Sequence, residues 1–204
     1  EMCIRDRYNS NGSSYTSSFS NNSGGVFVSK GDNYTIDISN SGQLDLYDVT
    51  TTSWKSMRNN SSGVINIYSG TINTFVYNDN TSTLNIYDGT IASRIANRNQ
   101  AIVNFIGGTM INTGSDSIVN EGTGTINIGT KDGNVNLDSP TITTNAIGVT
   151  NNANGKLNFY DGKITGATAI SGPVTEIEDG YDIIKETIDG KEVKYLAKQA
   201  VAQI

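Results

Sequence analysis

Histidine is absent from this 204-residue chain, cysteine occurs once and proline twice. Without imidazole the commonest general base and metal ligand are missing. The one thiol, Cys3, cannot close an internal disulfide, and its neighbours suggest no metal site. Basic residues are few: 14 Lys and Arg against 20 Asp and Glu leave a formal charge of −6. A nucleic-acid partner needs clustered Lys and Arg to release phosphate counterions, so none is expected. No apolar run approaches the ~20 residues of a membrane span, so no membrane insertion is expected in this fragment. Only 35% of residues are apolar and 17% charged. Low hydrophobicity of this order is a mark of disorder, but here Ile, Val and Tyr return at regular positions, which disordered segments do not show.

Asn, Ser, Thr and 22 Gly fill the gap, and they are arranged in a repeat. The unit runs small residue, apolar, Asn, apolar, aromatic, polar, Gly. It appears as Val64-Ile65-Asn66-Ile67-Tyr68-Ser69-Gly70 and as Thr83-Leu84-Asn85-Ile86-Tyr87-Asp88-Gly89, and again from Ile102 and from Lys156. Weaker copies begin at Gln43 and Thr125. Anchored on Leu44, Ile65, Leu84, Val103, Ile126 and Leu157, the steps are 21, 19, 19, 23 and 31 residues, the last holding an insertion from Lys131 to Thr144. A second short strand follows each Gly (Thr71-Ile72, Thr90-Ile91, Thr109-Met110, Lys163-Ile164). A third is read at Ile95-Ala96-Asn97, Ile118-Val119-Asn120, Ala146-Ile147-Gly148 and Ala169-Ile170. Corners rich in Asn, Gly and Ser join them.

The fold class expected is all-β: a right-handed single-stranded parallel β-helix, or β-solenoid, of ~19–23 residues per coil with three short strands per coil. Handedness rests on the chirality of crossovers. Alternation sends Leu44, Ile65, Leu84, Val103, Ile126 and Leu157 inward, with Leu46, Ile67, Ile86, Phe105, Ile128 and Phe159. Outward lie a polar column, Asp45, Asn66, Asn85, Asn104, Asn127 and Asn158, and a column of Tyr47, Tyr68, Tyr87, Ile106, Gly129 and Tyr160. Residues 1–23 are expected to stand outside the solenoid, which spans 24–174. Residues 1–7 resemble strings left by adapter read-through at the ends of metagenomic reading frames, and 8–23 read as disordered or as a linker. That reading places the true N-terminus, and any signal peptide, upstream. Residues 175–204 are charged; Asp182–Ile188, Asp189-Gly190 and Lys191–Leu196 read as a β-hairpin with a type I′ turn, capping the last rung or opening a next module.

The stretch from about Gly63 to Ala197 resembles uncharacterised repeat proteins on the surface of Firmicutes-type gut bacteria. The residues that carry the likeness are Thr125–Gly133, Leu157–Ile164 and Val174–Tyr181. The resemblance implies a pectin-lyase-like β-helix, secretion or display on a bacterial cell surface, and no particular activity. No wall-sorting motif occurs in the sequence.

Polysaccharide-cleaving enzymes of this architecture need clustered carboxylates. Asp48, Asp88 and Asp161 share one repeat position, but coils between them carry Ser69 and Gly107, and an Asp beside a strand-end Gly ordinarily serves a turn. Arg94 and Arg98 share a corner with no carboxylate cluster near in sequence. No catalytic residue, metal ligand or cofactor is assigned. The binding candidate is the outer ladder: Tyr47, Tyr68 and Tyr87 to stack on sugar rings, Asn66, Asn85 and Asn104 to bond hydroxyls. The same columns also stabilise stacked strands by themselves. A row of Thr71, Thr90 and Thr109 is too irregular at its flanks for ice binding, and Trp54 reads equally as a contact residue or as a fold-back over an apolar edge. The function expected is non-enzymatic: an extracellular, adhesin-like stalk or display scaffold touching a polysaccharide or a host or cell-wall glycan. The alternative is an inactive or divergent pectin-lyase-like carbohydrate-active domain.

Overall fold

The computed structural model describes residues 18–52 and 55–200; Cys3, Trp54 and the opening residues 1–7 lie outside the described residues. Every described element is a strand. Three short strands per coil stack on their counterparts in the next, giving a parallel β-solenoid of about eight turns.

The first sheet takes Ser18–Asn21, Asp37–Asn40, Ser56–Asn59, Phe75–Asn78, Ile95–Asn97, Ile118–Asn120, Ile147–Asn151 and Thr168–Ser171. The second takes Val26–Lys30, Gln43–Tyr47, Val64–Ile67, Thr83–Ile86, Ile102–Phe105, Thr125–Ile128, Lys156–Phe159 and Glu176–Ile177. The third takes Asn33–Tyr34, Val49–Thr51, Gly70–Ile72, Thr90–Ile91, Thr109–Asn112, Thr141–Thr144 and Lys163–Gly166 in parallel. Lys191–Lys198 then joins this sheet antiparallel to Lys163–Gly166, and Tyr181–Ile188 pairs back onto it as the hairpin. Asp189 and Gly190 have φ of 51° and 75°, the two positive values a type I′ turn requires.

The core is the inward half of every strand. Both inward columns of the second sheet from Leu44 to Phe159 are buried, and Ile72, Ile91, Met110, Ile142 and Ile164 from the third and Met57, Val76, Ile95, Ile118 and Val149 from the first close on them. Each such side chain contributes about 1.5–3 kcal/mol by leaving water, but only with neighbouring coils in place. Gly70, Gly89 and Gly108 form a corner column with φ of 108°, 99° and 85°. A Cβ at Gly108 would lie 2.6 Å from the Gly89 carbonyl oxygen, so the corner needs glycine for space as well as for φ.

The structure moves four boundaries. Ser18–Asn21 is not linker: it pairs with Asp37–Asn40 as a first-sheet strand. The stretch from Val49 to Ser62 around Trp54, in which the repeat marks no strand, contains Val49–Thr51 and Ser56–Asn59, with Met57 fully buried. The insertion is shorter than expected, because Thr141–Thr144 is a regular third-sheet strand, and Asn134–Leu137 forms no strand despite its alternation. Finally, Ile118–Asn120 pairs with Val149–Asn151, so the coil's third strand is centred later than Ala146-Ile147-Gly148.

Candidate functional site

Alternation along the second sheet puts Asp45, Asn66, Asn85, Asn104, Asn127 and Asn158 on its outer surface, and parallel register stacks them in line. Each amide donates to the residue one coil earlier: Asn66 Nδ2 to Asp45 Oδ1 at 2.7 Å, then 2.8, 2.7, 2.7 and 2.8 Å down to Asn158. Asp45 ends the chain as a pure acceptor and also takes a bond from Gln43 Nε2. The column is less open than an outward position suggests, Asn66 keeping 8% of its surface.

The aromatic column lies beside it. Tyr47 and Tyr68 stack with centroids 4.4 Å apart and planes 6° from parallel, and Tyr68 and Tyr87 at 4.9 Å and 5°. Lys30 Nζ sits 5.2 Å from the Tyr47 centroid and caps the stack. Burial between its neighbours, with Tyr47 and Asp45 alongside, raises the Tyr68 hydroxyl above its ordinary pKa. The ring faces expected to receive sugar are thus turned to one another; what Tyr47 and Tyr68 present outward is mainly ring edge and hydroxyl. Tyr87, 40% exposed, is the last ring of the stack.

Backbone bonds carry the register past the strand ends: Ile106 N to Ile86 O, Gly129 N to Phe105 O and Tyr160 N to Ile128 O. The column therefore continues as Ile106, then Gly129 with no side chain, then Tyr160. A shallow hollow of about 300 Å³ opens there, lined by Asn104, Ile106, Asn127, Gly129, Lys131 and Tyr160. The insertion that follows Gly129 is tied down on three carboxylates. Asp161 accepts from Thr130 N (2.8 Å) and Asn136 N (2.6 Å), Glu178 accepts from Gly133 N (3.2 Å), and Glu176 binds Lys131 Nζ (2.6 Å). Tyr160 Oη donates to the other Glu176 oxygen at 3.0 Å. The Lys131 and Tyr160 bonds hold the Glu176 carboxyl below the ordinary range; burial and Glu176 together raise Tyr160, and Glu176 raises Lys131.

A second amide ladder was not foreseen. The last residues of the first-sheet strands, Asn21, Asn40, Asn59, Asn78, Asn97, Asn120 and Asn151, turn inward at the corner. Each Nδ2 donates to the next Oδ1, at 2.8, 2.9, 3.0, 3.0, 3.1 and 2.9 Å. This ladder donates toward the C-terminal end, the outer one toward the N-terminal end. The same amides bond backbone carbonyls of the following corner and of the next coil, as Asn59 does to Gly63 O and Thr83 O. A Cβ on Gly63 would lie 2.6 Å from Asn59 Oδ1. The sequence signal is Asn followed four residues later by Gly, Ser or Ala: Asn59/Gly63, Asn78/Ser82, Asn97/Ala101, Asn120/Gly124, Asn151/Gly155.

The remaining candidates stay apart. Asp48 exchanges bonds with Ser69, Asp88 accepts from Gly89 N, and Asp161 serves the insertion, so each shapes a turn. Arg94 and Arg98, with no carboxylate cluster in nearby sequence, share a single carboxylate across coils: Glu121 at 2.6 and 2.8 Å, whose bond raises the Arg98 pKa. Arg58 and Arg98 lie 4.5 Å either side of the Tyr77 centroid. The Thr row is longer than expected, Thr50, Thr71, Thr90, Thr109 and Thr141 in register, still flanked by Asn73, Ala92 and Ile111. Among the described residues no three His, Cys, Asp or Glu gather as a metal site, and no helix is long and apolar enough to cross a membrane. Compared with known protein families, curated proteins and solved structures, the chain matches none of them.

Proposed function

We propose that this chain is a non-catalytic stalk or display segment of an adhesin-like protein on a bacterial surface, with saccharide contact as a subsidiary role. The observation that carries the reading is the set of ladders parallel to the solenoid axis. Two amide columns and one aromatic column use, in contacts between coils, the groups that a binding face would turn outward. Such ladders resist bending and slippage between rungs, which is what a spacer requires. The polar, histidine-free composition and the likeness to surface repeat proteins of Firmicutes-type bacteria, with their pectin-lyase-like β-helix, support a place outside the cell.

A spacer must hold its ends at a fixed distance. Nitroxide labels on Ser23→Cys and Ala153→Cys, with Cys3→Ser, occupy equivalent corners separated by six rungs of about 4.8 Å. Electron–electron dipolar spectroscopy is expected to give a single narrow peak near that separation. A broad distribution would sink the stalk reading.

A further inference from the structure

The two ends of the solenoid differ. At the C-terminal end the hairpin of Tyr181–Ile188 and Lys191–Lys198 closes the third sheet and buries Leu196. At the N-terminal end Ser18–Asn21, Val26–Lys30 and Asn33–Tyr34 have no strand before them among the described residues. The core ends there on Phe19, Phe27 and Tyr34, partly buried rings packed against it, with the Phe19 and Phe27 centroids 4.6 Å apart. The backbone is open as well, because residues of a strand alternate the side to which their polar groups point. Gly25 O and Gly31 N bond to the next coil, so Val26, Val28 and Lys30, which alternate with them, turn their N–H and C=O groups to the open edge. Asp32 O and Tyr34 O accept from the next coil, which turns Asn33 and Thr35 to that same edge. An apolar end framed by such a row of backbone groups is a template for further strands.

We propose that this edge is a docking surface for residues 8–17 of the same chain, which add to Val26–Lys30 and then to Asn33–Tyr34 as a parallel partner. The register already described sets the alignment. The chain enters the described coils at Ser18, and Ser18–Asn21 pairs with Asp37–Asn40 at a shift of 19 residues. Carried back at that shift, Tyr8 falls on Phe27, Ser10 on Ser29, Gly12 on Gly31, Tyr15 on Tyr34 and Thr16 on Thr35. Two rings thus meet two of the three rings at the end of the core. Gly12 meets a corner where Gly31 and Asp48 both have positive φ, 68° and 52°, a conformation that suits glycine. The length also fits, since 8–17 spans the same interval as 27–36, which holds a second-sheet strand, its corner and a third-sheet strand. Following the pattern of Tyr68 N to Leu46 O, Val28 N–H would donate to Tyr8 O and Lys30 N–H to Ser10 O. Following that of Thr50 N to Asp32 O, Asn33 N–H would donate to Ser13 O and Thr35 N–H to Tyr15 O. A strand from another molecule competes poorly, because this segment is tethered at Ser18 and its effective concentration at the edge is on the order of millimolar.

The test is disulfide trapping in the full chain carrying Cys3→Ser. Asn9→Cys and Val28→Cys stand opposite each other in this alignment, with Cα atoms about 4.8 Å apart and within disulfide range. Asn11→Cys and Val28→Cys lie on a diagonal of about 8 Å, outside that range. In a glutathione buffer the first pair should close an intrachain disulfide at least tenfold more favourably than the second, read by intact mass and peptide mapping. In the Cys3→Ser parent the Val28, Lys30 and Thr35 amides should exchange at least tenfold more slowly than their intrinsic rates. Tyr15→Asp, which sets a charge over Tyr34, should return them toward those rates. Equal closure of the two pairs would overturn the proposal, as would intrinsic exchange rates at Val28 and Lys30 in the parent. A disulfide of the first pair formed only between chains would also overturn it and give the edge to a second copy. The Ser23–Ala153 label distance reports on the stalk reading separately from any of these results.

Discussion

Asn78 lies at the middle of the inner ladder, fully buried. Its amide donates to Asn97 Oδ1, Ser82 O and Ile102 O, and its oxygen accepts from Asn59 and Ser82. Asn78→Ala would leave an amide hydrogen and several carbonyls buried without partners, each costing about 1–3 kcal/mol. A loss of about 2–5 kcal/mol in urea unfolding is expected, and more for Asn78→Asp, which keeps the shape but has no donor and sets an acidic group among acceptors. Gln100→Ala, exposed at the following corner, should stay within about 0.5 kcal/mol of the parent. At this scale the core was legible, because Ile65 and Ile67 announce their side by alternation. Asn97 was not: an Asn at a strand end reads equally as a turn residue, and only its repetition with a small residue four positions later separates the two. The outer Tyr residues were placed on the correct face. Their stacking on each other was weighed in the sequence, but which use prevails depends on ring orientation, and residue order alone does not set that.

Among the elements, the insertion after Gly129 carries its own prediction, because charges hold it beside the packing of Val135 against the core. Glu176 has its pKa lowered, first by the Lys131 bond and then by Tyr160. A lowered carboxylate stabilises above its unfolded value and loses that contribution as pH falls through the folded value, here below the ordinary 4.5. Lys131 is raised, so its share is complete below the ordinary 10.5 and fades as pH climbs beyond it. The insertion should therefore be held across the neutral range and released at either extreme. The measurement is the Glu176 carboxyl carbon chemical shift followed against pH: its midpoint should lie below 4.5, and Lys131→Met, which removes the first cause of the shift, should move it up toward that value. Asp161→Ala withdraws the acceptor of Thr130 N and Asn136 N, two bonds to a buried carboxylate worth about 1.5–3 kcal/mol each. Amide exchange protection across residues 130–136 should then fall at least tenfold, with Asn104 and its neighbours unaffected. Sequence marked that an insertion existed, from the long step between Ile126 and Leu157, but misjudged its end. Asn134–Leu137 alternates like a strand, whereas Thr141–Thr144 carries the pairing because its Ile142 continues the inward column of Met110 and Ile164.

For the whole molecule the period itself can be tested, since each rung touches only its neighbours. Asn78 and Asn97 are equivalent and 19 residues apart. Deleting residues 79–97 joins Asn78 to Arg98 and removes one coil, with all three strands and every ladder rung. The new neighbours remain compatible: Ile65 meets Val103, Ile67 meets Phe105, Ile72 meets Met110, Gly70 meets Gly108, and Asn78 can donate to Asn120 as Asn97 does. The shortened chain should unfold cooperatively, with a urea m-value lower by about one-eighth, as one of about eight coils is lost. The Ser23–Ala153 label distance should contract by one rung, about 4.8 Å. Deleting residues 79–92 instead removes a fraction of a coil, throws inward residues to the outside and sets Asn97 out of line with Asn59. That chain should lose the narrow distance peak and aggregate. If both deletions behaved alike, the coils would not be interchangeable units and the ladders would not be what holds the rungs in step.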